Sequence, residues 1–260
     1  MTDLTFPATW NNVALDVTDS TNSEAMRRIA AGDTGPTWIT ATVQTAGRGR
    51  SGRSWSTERG NLAASLLFAP ATTPAHLPEL ALVAGLAVHG AATSLIPEAP
   101  PGHITIKWPN DLLIADAKVS GILIESTNQG GTVVAIIGIG LNLASTPNIP
   151  GRQLTSLSCQ PDFGGSFEQA STILAAQLAR YLGIWDHGRG FSAIRTLWLE
   201  RSVPIGRILR VNSGSGPVEG RFAGLDLDGA LLLDLPGGHR QKFTFGDVTL
   251  AQDRDKRTSR

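Results

Sequence analysis

Apolar positions along this chain switch between the two-residue period of a strand and the three-to-four-residue period of a helix. Val13 to Val17 reads as a strand. Thr21-Asn22-Ser23-Glu24 has the Thr-x-x-Glu capping-box spacing, and Ala25, Met26, Ile29 and Ala30 follow at helical intervals until Gly32, which predicts a short helix. Trp38 to Val43 alternates β-formers, a polar Gly/Arg/Ser-rich segment runs from Gln44 to Gly60, and Leu62 to Phe68 resumes a strand that Pro70 stops. Leu77, Leu80, Ala81, Ala84, Val88 and Leu95 predict a mostly buried helix. Ile104, Ile106 and Trp108 alternate into a turn at Pro109-Asn110-Asp111, and Leu112 to Ile114 carries the chain outward. After a tight connection at Ala115-Asp116-Ala117, Lys118 to Glu125 returns as a strand, and Asn128-Gln129-Gly130-Gly131 makes a hairpin. Val133 to Leu143, apolar on both faces apart from glycines and Asn142, suits a central strand. Phe167 to Trp185 and Phe191 to Glu200 read as two amphipathic helices.

From Val203 the texture changes to short strands with turn signals, as far as Leu250, and predicts a small β-barrel. The organisation expected is therefore an α+β part over 1–202, a β part over 203–250 and a disordered polar tail over 251–260.

Hydrophobic residues make up 41% and charged residues 17%, which excludes a disordered chain. The 22 Lys+Arg balance 22 Asp+Glu, whereas a chain that coats nucleic acid or an anionic membrane carries a basic excess. Cys159 is the sole cysteine, which excludes an internal disulfide and a Cys-based zinc cluster and suits a reducing compartment. Met1 to Ser20 has no Lys or Arg, so it is not a secretory signal. Leu80 to Ile96 is apolar but interrupted by Gly85, His89 and Gly90, and a buried helix explains it better than a membrane span. These features predict a cytoplasmic protein.

Three segments could carry chemistry. Gly47-Arg48-Gly49-Arg50-Ser51-Gly52-Arg53-Ser54-Trp55 alternates arginines, which fork onto phosphate or carboxylate, with glycines, which admit close backbone approach. Such a loop is expected to be mobile until an anion arrives; the competing reading is a solvated basic loop or a weak RNA patch. Lys107-Trp108-Pro109-Asn110-Asp111 with Lys118 holds two of only four lysines in a chain with eighteen arginines, a possible need for compact cations. The plainer reading of Lys118 is an exposed strand-start lysine paired with Asp116. Gly138-Ile139-Gly140-Leu141-Asn142 is either a bulge or a strand whose glycines make room for a flat ring, with Asn142 as its polar handle. There is no Gly-x-x-x-x-Gly-Lys-Ser/Thr loop, the five histidines lack metal-ligand spacing, and no metal-ligating residue is singled out.

Together these segments resemble the biotin protein ligase family. The match runs in order through Ser20-Thr21-Asn22, Gln44, the Gly47–Trp55 loop, Lys107–Asp111, Lys118-Val119-Ser120-Gly121-Ile122-Leu123 and Gly138–Asn142. Ser120 stands where the family usually has Ala. The resemblance implies a mixed-sheet catalytic domain of class II aminoacyl-tRNA-synthetase type, flanked by helices, with a C-terminal SH3-like barrel. It implies activation of biotin by ATP to biotinyl-5′-AMP, with Mg²⁺, and transfer to a lysine of a carboxylase's biotin carboxyl carrier domain. By similarity Lys118, Arg48 and Arg50 would hold the biotin carboxylate and the α-phosphate, and Asp111 would receive or orient the acceptor amine. Ser20, Thr21, Asn22, Gln44, Gly49 and Gly121 would surround biotin, and Arg53, Trp55, Lys107, Asn110 and Asn142 would face the nucleotide. The chain starts almost directly at the catalytic part, so no DNA-binding winged helix, and no DNA partner, is expected. A homodimer through an edge strand is left open. The rival readings are a lipoate or octanoate protein ligase, whose families lack the Gly-Arg-Gly-Arg loop, a ligase relic that only stores biotin, and a non-catalytic RNA-binding module.

Overall fold

The parallel pairing of β1 (Asn11–Thr18) with β2 (Thr37–Gln44) demands a crossover, and α1 (Thr21–Ala30) supplies it. This is the start of a seven-stranded sheet in the computed structural model, which describes residues 5–213 and 216–251. The remaining strands are β3 (Leu62–Phe68), β4 (Ile104–Lys107), β5 (Asp111–Ile114), β6 (Ala117–Gln129) and β7 (Thr132–Leu141). They pair antiparallel, and the sheet order is β1-β2-β3-β7-β6-β5-β4. The mainly apolar runs of β3 and β7 are side by side at the centre of the sheet, where nearly every residue is buried.

Helices α2 (Leu80–Leu95), α3 (Phe167–Trp185) and α4 (Phe191–Arg201) cover one face and share its large core. Pro74–Leu95 is the one described stretch long and apolar enough to cross a membrane, and it is mostly buried inside this core. The opposite face is only partly covered. There α1 packs Ala25 and Ile29 on Ile39, Leu67, Val134 and Ile136. By strand parity, Ser65, Gly138, Gly140, Gly121 and Glu125 lie on this same face. Gly121 is the direct cross-strand partner of Gly140, leaving a patch without Cβ atoms beyond the end of α1.

The capping box expected at Thr21 is not formed. Ser20 is the N-cap and offers no side-chain cap. Thr21 turns its hydroxyl to Gln44 and Ser65, and Glu24 pairs with Arg27 and Arg28. Tertiary hydrogen bonds in a buried site have displaced the local motif.

The second part is an antiparallel sheet of β8 (Ile208–Ser213), β9 (Gly216–Leu225), β10 (Leu231–Asp234), β11 (Arg240–Phe243) and β12 (Asp247–Leu250), in the order β11-β10-β9-β8-β12. The predicted barrel is not closed among the described residues: β11 and β12 are edges and do not pair. Four-residue strands at both margins give too little ladder to join. Packing on the first part covers this sheet instead. Trp108 Nε1 donates to the Gly229 carbonyl at 3.1 Å, Arg195 to the Asp226 carbonyl at 2.9 Å, and one apolar core runs through both parts. Of the tail predicted over 251–260, all but Ala251 lies outside the described residues.

Candidate active site

The uncovered patch is the floor of a cavity of about 1050 Å³. All fifteen residues singled out from the sequence, from Ser20 to Asn142, line it. Residues distant in sequence meet there because the sheet order puts β6 between β7 and β5, and the second sheet closes one side with β12.

One end of the cavity is neutral and polar. Gln44 Oε1 accepts from the Thr21 backbone N–H at 2.8 Å and from its hydroxyl at 3.2 Å, and Gln44 Nε2 donates to Thr57 Oγ1 at 3.0 Å. Ser65 Oγ lies 2.7 Å from Thr21 Oγ1 and donates to Asn22 Oδ1 at 2.6 Å, while Asn22 Nδ2 donates to Glu125 Oε2 at 2.8 Å. Ser20, Thr21, Asn22 and Ser65 are all buried, so this network is fixed in orientation. Gly138 is required beneath it: a Cβ there would lie 2.2 Å from Asn22 Oδ1.

The other end is cationic. Asp111 Oδ2 lies 2.8 Å from Lys107 Nζ, and Asp111 Oδ1 accepts from Lys118 Nζ. Burial pushes the Asp111 carboxyl up, but the two ammonium groups outweigh it and hold it at about 2. Lys118 moves down from the ordinary lysine value: burial is the largest cause, Lys107 and Arg53 add to it, and Asp111 opposes them. Two lysines sharing one carboxylate leave the cluster short of negative charge. Lys118 does not pair with Asp116, which binds Arg207 at 2.7 Å instead.

The arginine loop is laid down as a hairpin rather than loose. Bridges join Gln44 to Thr57 and Arg48 to Ser54, and Gly49 N–H donates to the Arg53 carbonyl at 2.7 Å. Its guanidinium groups go three ways. Arg48 reaches Glu125 at 2.8 Å; Arg50 donates to Asn110 Oδ1 at 3.2 Å and the Gly246 carbonyl at 3.4 Å; Arg53 pairs with Asp247 at 2.5 Å. Burial lowers the Arg50 guanidinium, opposed by Asp247. Lys107 Nζ also donates to the Val248 carbonyl, so the second sheet holds both loop and lysine.

The flat ring over the glycine patch is the protein's own. A Cβ on Gly140 would lie 2.2 Å from the Trp55 indole and one on Gly121 3.0 Å from it, with Lys118 Nζ 5.6 Å from the ring centroid. Asn142 is buried, and its Nδ2 donates to the Thr155 carbonyl at 3.1 Å. Asn110 donates to the Ile122 carbonyl at 2.7 Å, fixing the turn before Asp111.

Sequence reasoning missed Glu125, Ser65, Thr57 and Asp247. None stands in a motif, and Asp247 reaches its partner across 194 residues. Among the described residues no group of three or more His, Cys, Asp or Glu could hold a metal ion.

Residues 14–142 match the biotin/lipoate A/B protein ligase family, and residues 205–250 match the biotin protein ligase C terminal domain. A biotin--[acetyl-CoA-carboxylase] ligase of Paracoccus denitrificans is 38% identical over 238 residues, covering 89% of this chain and 97% of that protein. The bifunctional ligase/repressor BirA of Bacillus subtilis is 34% identical over 82% of this chain, which spans 66% of that protein. Among solved structures, the biotin protein ligase from Aquifex aeolicus in complex with biotin and ATP superposes with a TM-score of 0.76 at 26% identity, over 93% of this chain and 99% of that one. With a cavity built from the motifs that carry the likeness and the Paracoccus denitrificans ligase matched along nearly its whole length, the chain belongs to the biotin/lipoate A/B protein ligase family.

Proposed function

We propose that the chain is an ATP-dependent biotin–protein ligase. The observation that carries this reading is the largely buried Lys107–Asp111–Lys118 cluster with its excess positive charge, at one end of a cavity whose other end is a fixed, neutral hydrogen-bonding network. A ligand with a neutral ring bearing amide-like groups and a carboxylate tail matches those two ends in order. The ring docks against Ser20, Thr21, Asn22 and Gln44; the tail points to Lys118, beside the position a nucleotide phosphate takes.

The first step joins two anions, and its barrier is largely their repulsion. Lys118 and Arg50 offset that repulsion and stabilise charge developing at the α-phosphorus, in a site from which the loop excludes water. The biotin carboxylate attacks the α-phosphorus, the bond to the pyrophosphate leaving group breaks, and biotinyl-5′-AMP forms. Arg53, Lys107, Asn110, Asn142 and Trp55 hold the nucleotide. Mg²⁺ held through the phosphates of ATP would neutralise charge there; among the described residues no group of three or more His, Cys, Asp or Glu could cage it. In the second step a carrier lysine, arriving as the free amine, attacks the acyl carbon, the bond to AMP breaks, and the amine's proton passes to water. Asp111, held ionised by its two lysines, attracts and orients that amine rather than accepting its proton, because a carboxyl at about 2 is a poor base near neutral pH. We read residues 203–250 as the family's C-terminal unit, SH3-like in its strand count, which buttresses the loop through Gly246 and Asp247 and holds Lys107 through Val248.

The test is incubation with ATP, Mg²⁺, biotin and a biotin carboxyl carrier domain, reading pyrophosphate and covalent biotin, with lipoate and octanoate in parallel. Biotin-dependent pyrophosphate release is expected, falling about 10²–10³-fold in Lys118→Ala. Turnover of lipoate or octanoate in place of biotin overturns the substrate assignment, and undiminished turnover by Lys118→Ala overturns the mechanism.

A further inference from the structure

Resting on the ligase reading, the geometry points to Glu125 as a positioning residue that clasps the arginine loop, and to Arg48 as the other half of that clasp rather than a holder of substrate anions. Arg48 donates to Glu125 Oε2 at 2.8 Å, and the same oxygen accepts from Asn22 Nδ2 at 2.8 Å. Asn22 is locked in turn, because Ser65 Oγ donates to its Oδ1 and the bare Cα of Gly138 leaves its amide just enough room. Glu125 sits on β6 in register with Ile136, at the margin of the patch that α1 covers, and it does not line the cavity. A rigid sheet residue thus ties the first turn of the loop to the neutral end of the site. Arg53 and Asp247 tie the far end to the second sheet.

The charges divide accordingly. Arg48 already has a carboxylate, its side chain 44% and that of Glu125 23% exposed. Such a half-wet pair adds little to global stability, so its consequence falls on the local opening of the loop it fastens. Lys107 and Lys118 share one carboxylate, and the half-buried Arg50 guanidinium donates to an amide oxygen and a carbonyl rather than to a carboxylate. Within the arginine loop and the lysine cluster, the cations left for an incoming carboxylate and phosphate are therefore Arg50 and the lysine pair.

The experiment compares Glu125→Gln, Arg48→Ala and the double variant, and then Glu125→Asp. Four quantities are read: KM for biotin, kcat of pyrophosphate release, escape of biotinyl-adenylate measured as labelling of added serum albumin, and the thermal melt. Both single variants are expected to raise KM for biotin and albumin labelling about five- to tenfold, with kcat of pyrophosphate release within about threefold of the wild type. The double variant should be no worse than the worse single one, and Glu125→Asp should recover part of the loss. The inference is overturned if Arg48→Ala abolishes pyrophosphate release at saturating biotin while Glu125→Gln matches the wild type, or if the two effects simply add. Should Glu125→Gln fail to fold, the KM-against-kcat split of Arg48→Ala decides alone. A wild-type protein that releases no pyrophosphate with biotin refutes the ligase reading itself, before any variant is compared.

Discussion

Replacing Asp111 by Asn keeps the shape of the side chain and removes the one negative charge between two ammonium groups. In the native protein the carboxylate is mostly buried, 13% exposed, with Lys107 Nζ 2.8 Å from one oxygen and Lys118 Nζ on the other. Its pKa is held at about 2 against an ordinary 3.8, although burial alone would raise it. At about 1.4 kcal/mol per tenfold change in proton affinity, the ionised form contributes about 2–3 kcal/mol to folding. Because the folded-state value is the lower one, this stability is complete above about pH 4 and is lost as the pH falls towards 2. The asparagine variant should therefore unfold about 2–3 kcal/mol more easily at pH 7, roughly 4–12 °C in Tm for a chain of this size. Near pH 2.5 the two proteins should differ far less. Guanidinium unfolding followed by tryptophan emission, repeated from pH 7 down to pH 2.5, measures both. Equal stability at pH 7, or a gap that widens on acidification, would falsify the charge accounting. The same substitution strips Lys118 of the contribution that raises its pKa, so the alkaline limb of its pyrophosphate-release profile should move to lower pH.

Arg50→Gly removes the guanidinium that joins the loop to Asn110 and to the Gly246 carbonyl, and it is expected to release the adenylate early and label bystander lysines. A variant that labels only the carrier, at the wild-type rate, removes the loop's sealing role. Gly140→Ala places a Cβ 2.2 Å from the Trp55 indole. Displacing the ring should raise KM for ATP about tenfold and shift tryptophan emission on nucleotide addition; unchanged KM and emission would mean that Trp55 takes no part in nucleotide binding.

Local patterning determined the elements. The strands from Val13 to Leu143, the helices Phe167–Trp185 and Phe191–Arg201 and the change to short strands after Val203 all follow from the spacing of apolar residues, which is set by backbone periods that each element obeys alone. The motifs likewise marked the cavity wall, because glycines, arginines and lysines placed against a ligand must stand out from a chain that otherwise packs a core. Pairings between elements were another matter. Spacing left Lys118 open between a pairing with Asp116 and a role in the site, and the sheet order brought it to Asp111 across β5 and β6. Thr21 carried a capping signal, and a buried hydrogen-bond network claimed its hydroxyl. The β part was legible as a run of short strands and read as a barrel, while its open five-stranded order depended on how those strands pack against the first part. Glu125 and Asp247 had no signal at all, since a carboxylate gains its meaning from the guanidinium brought to it, and only the folded chain brings it. Sequence fixes what a segment of backbone can become; which charges meet is decided by topology, because ion pairs and buried hydrogen bonds act over a few ångströms and disregard distance along the chain.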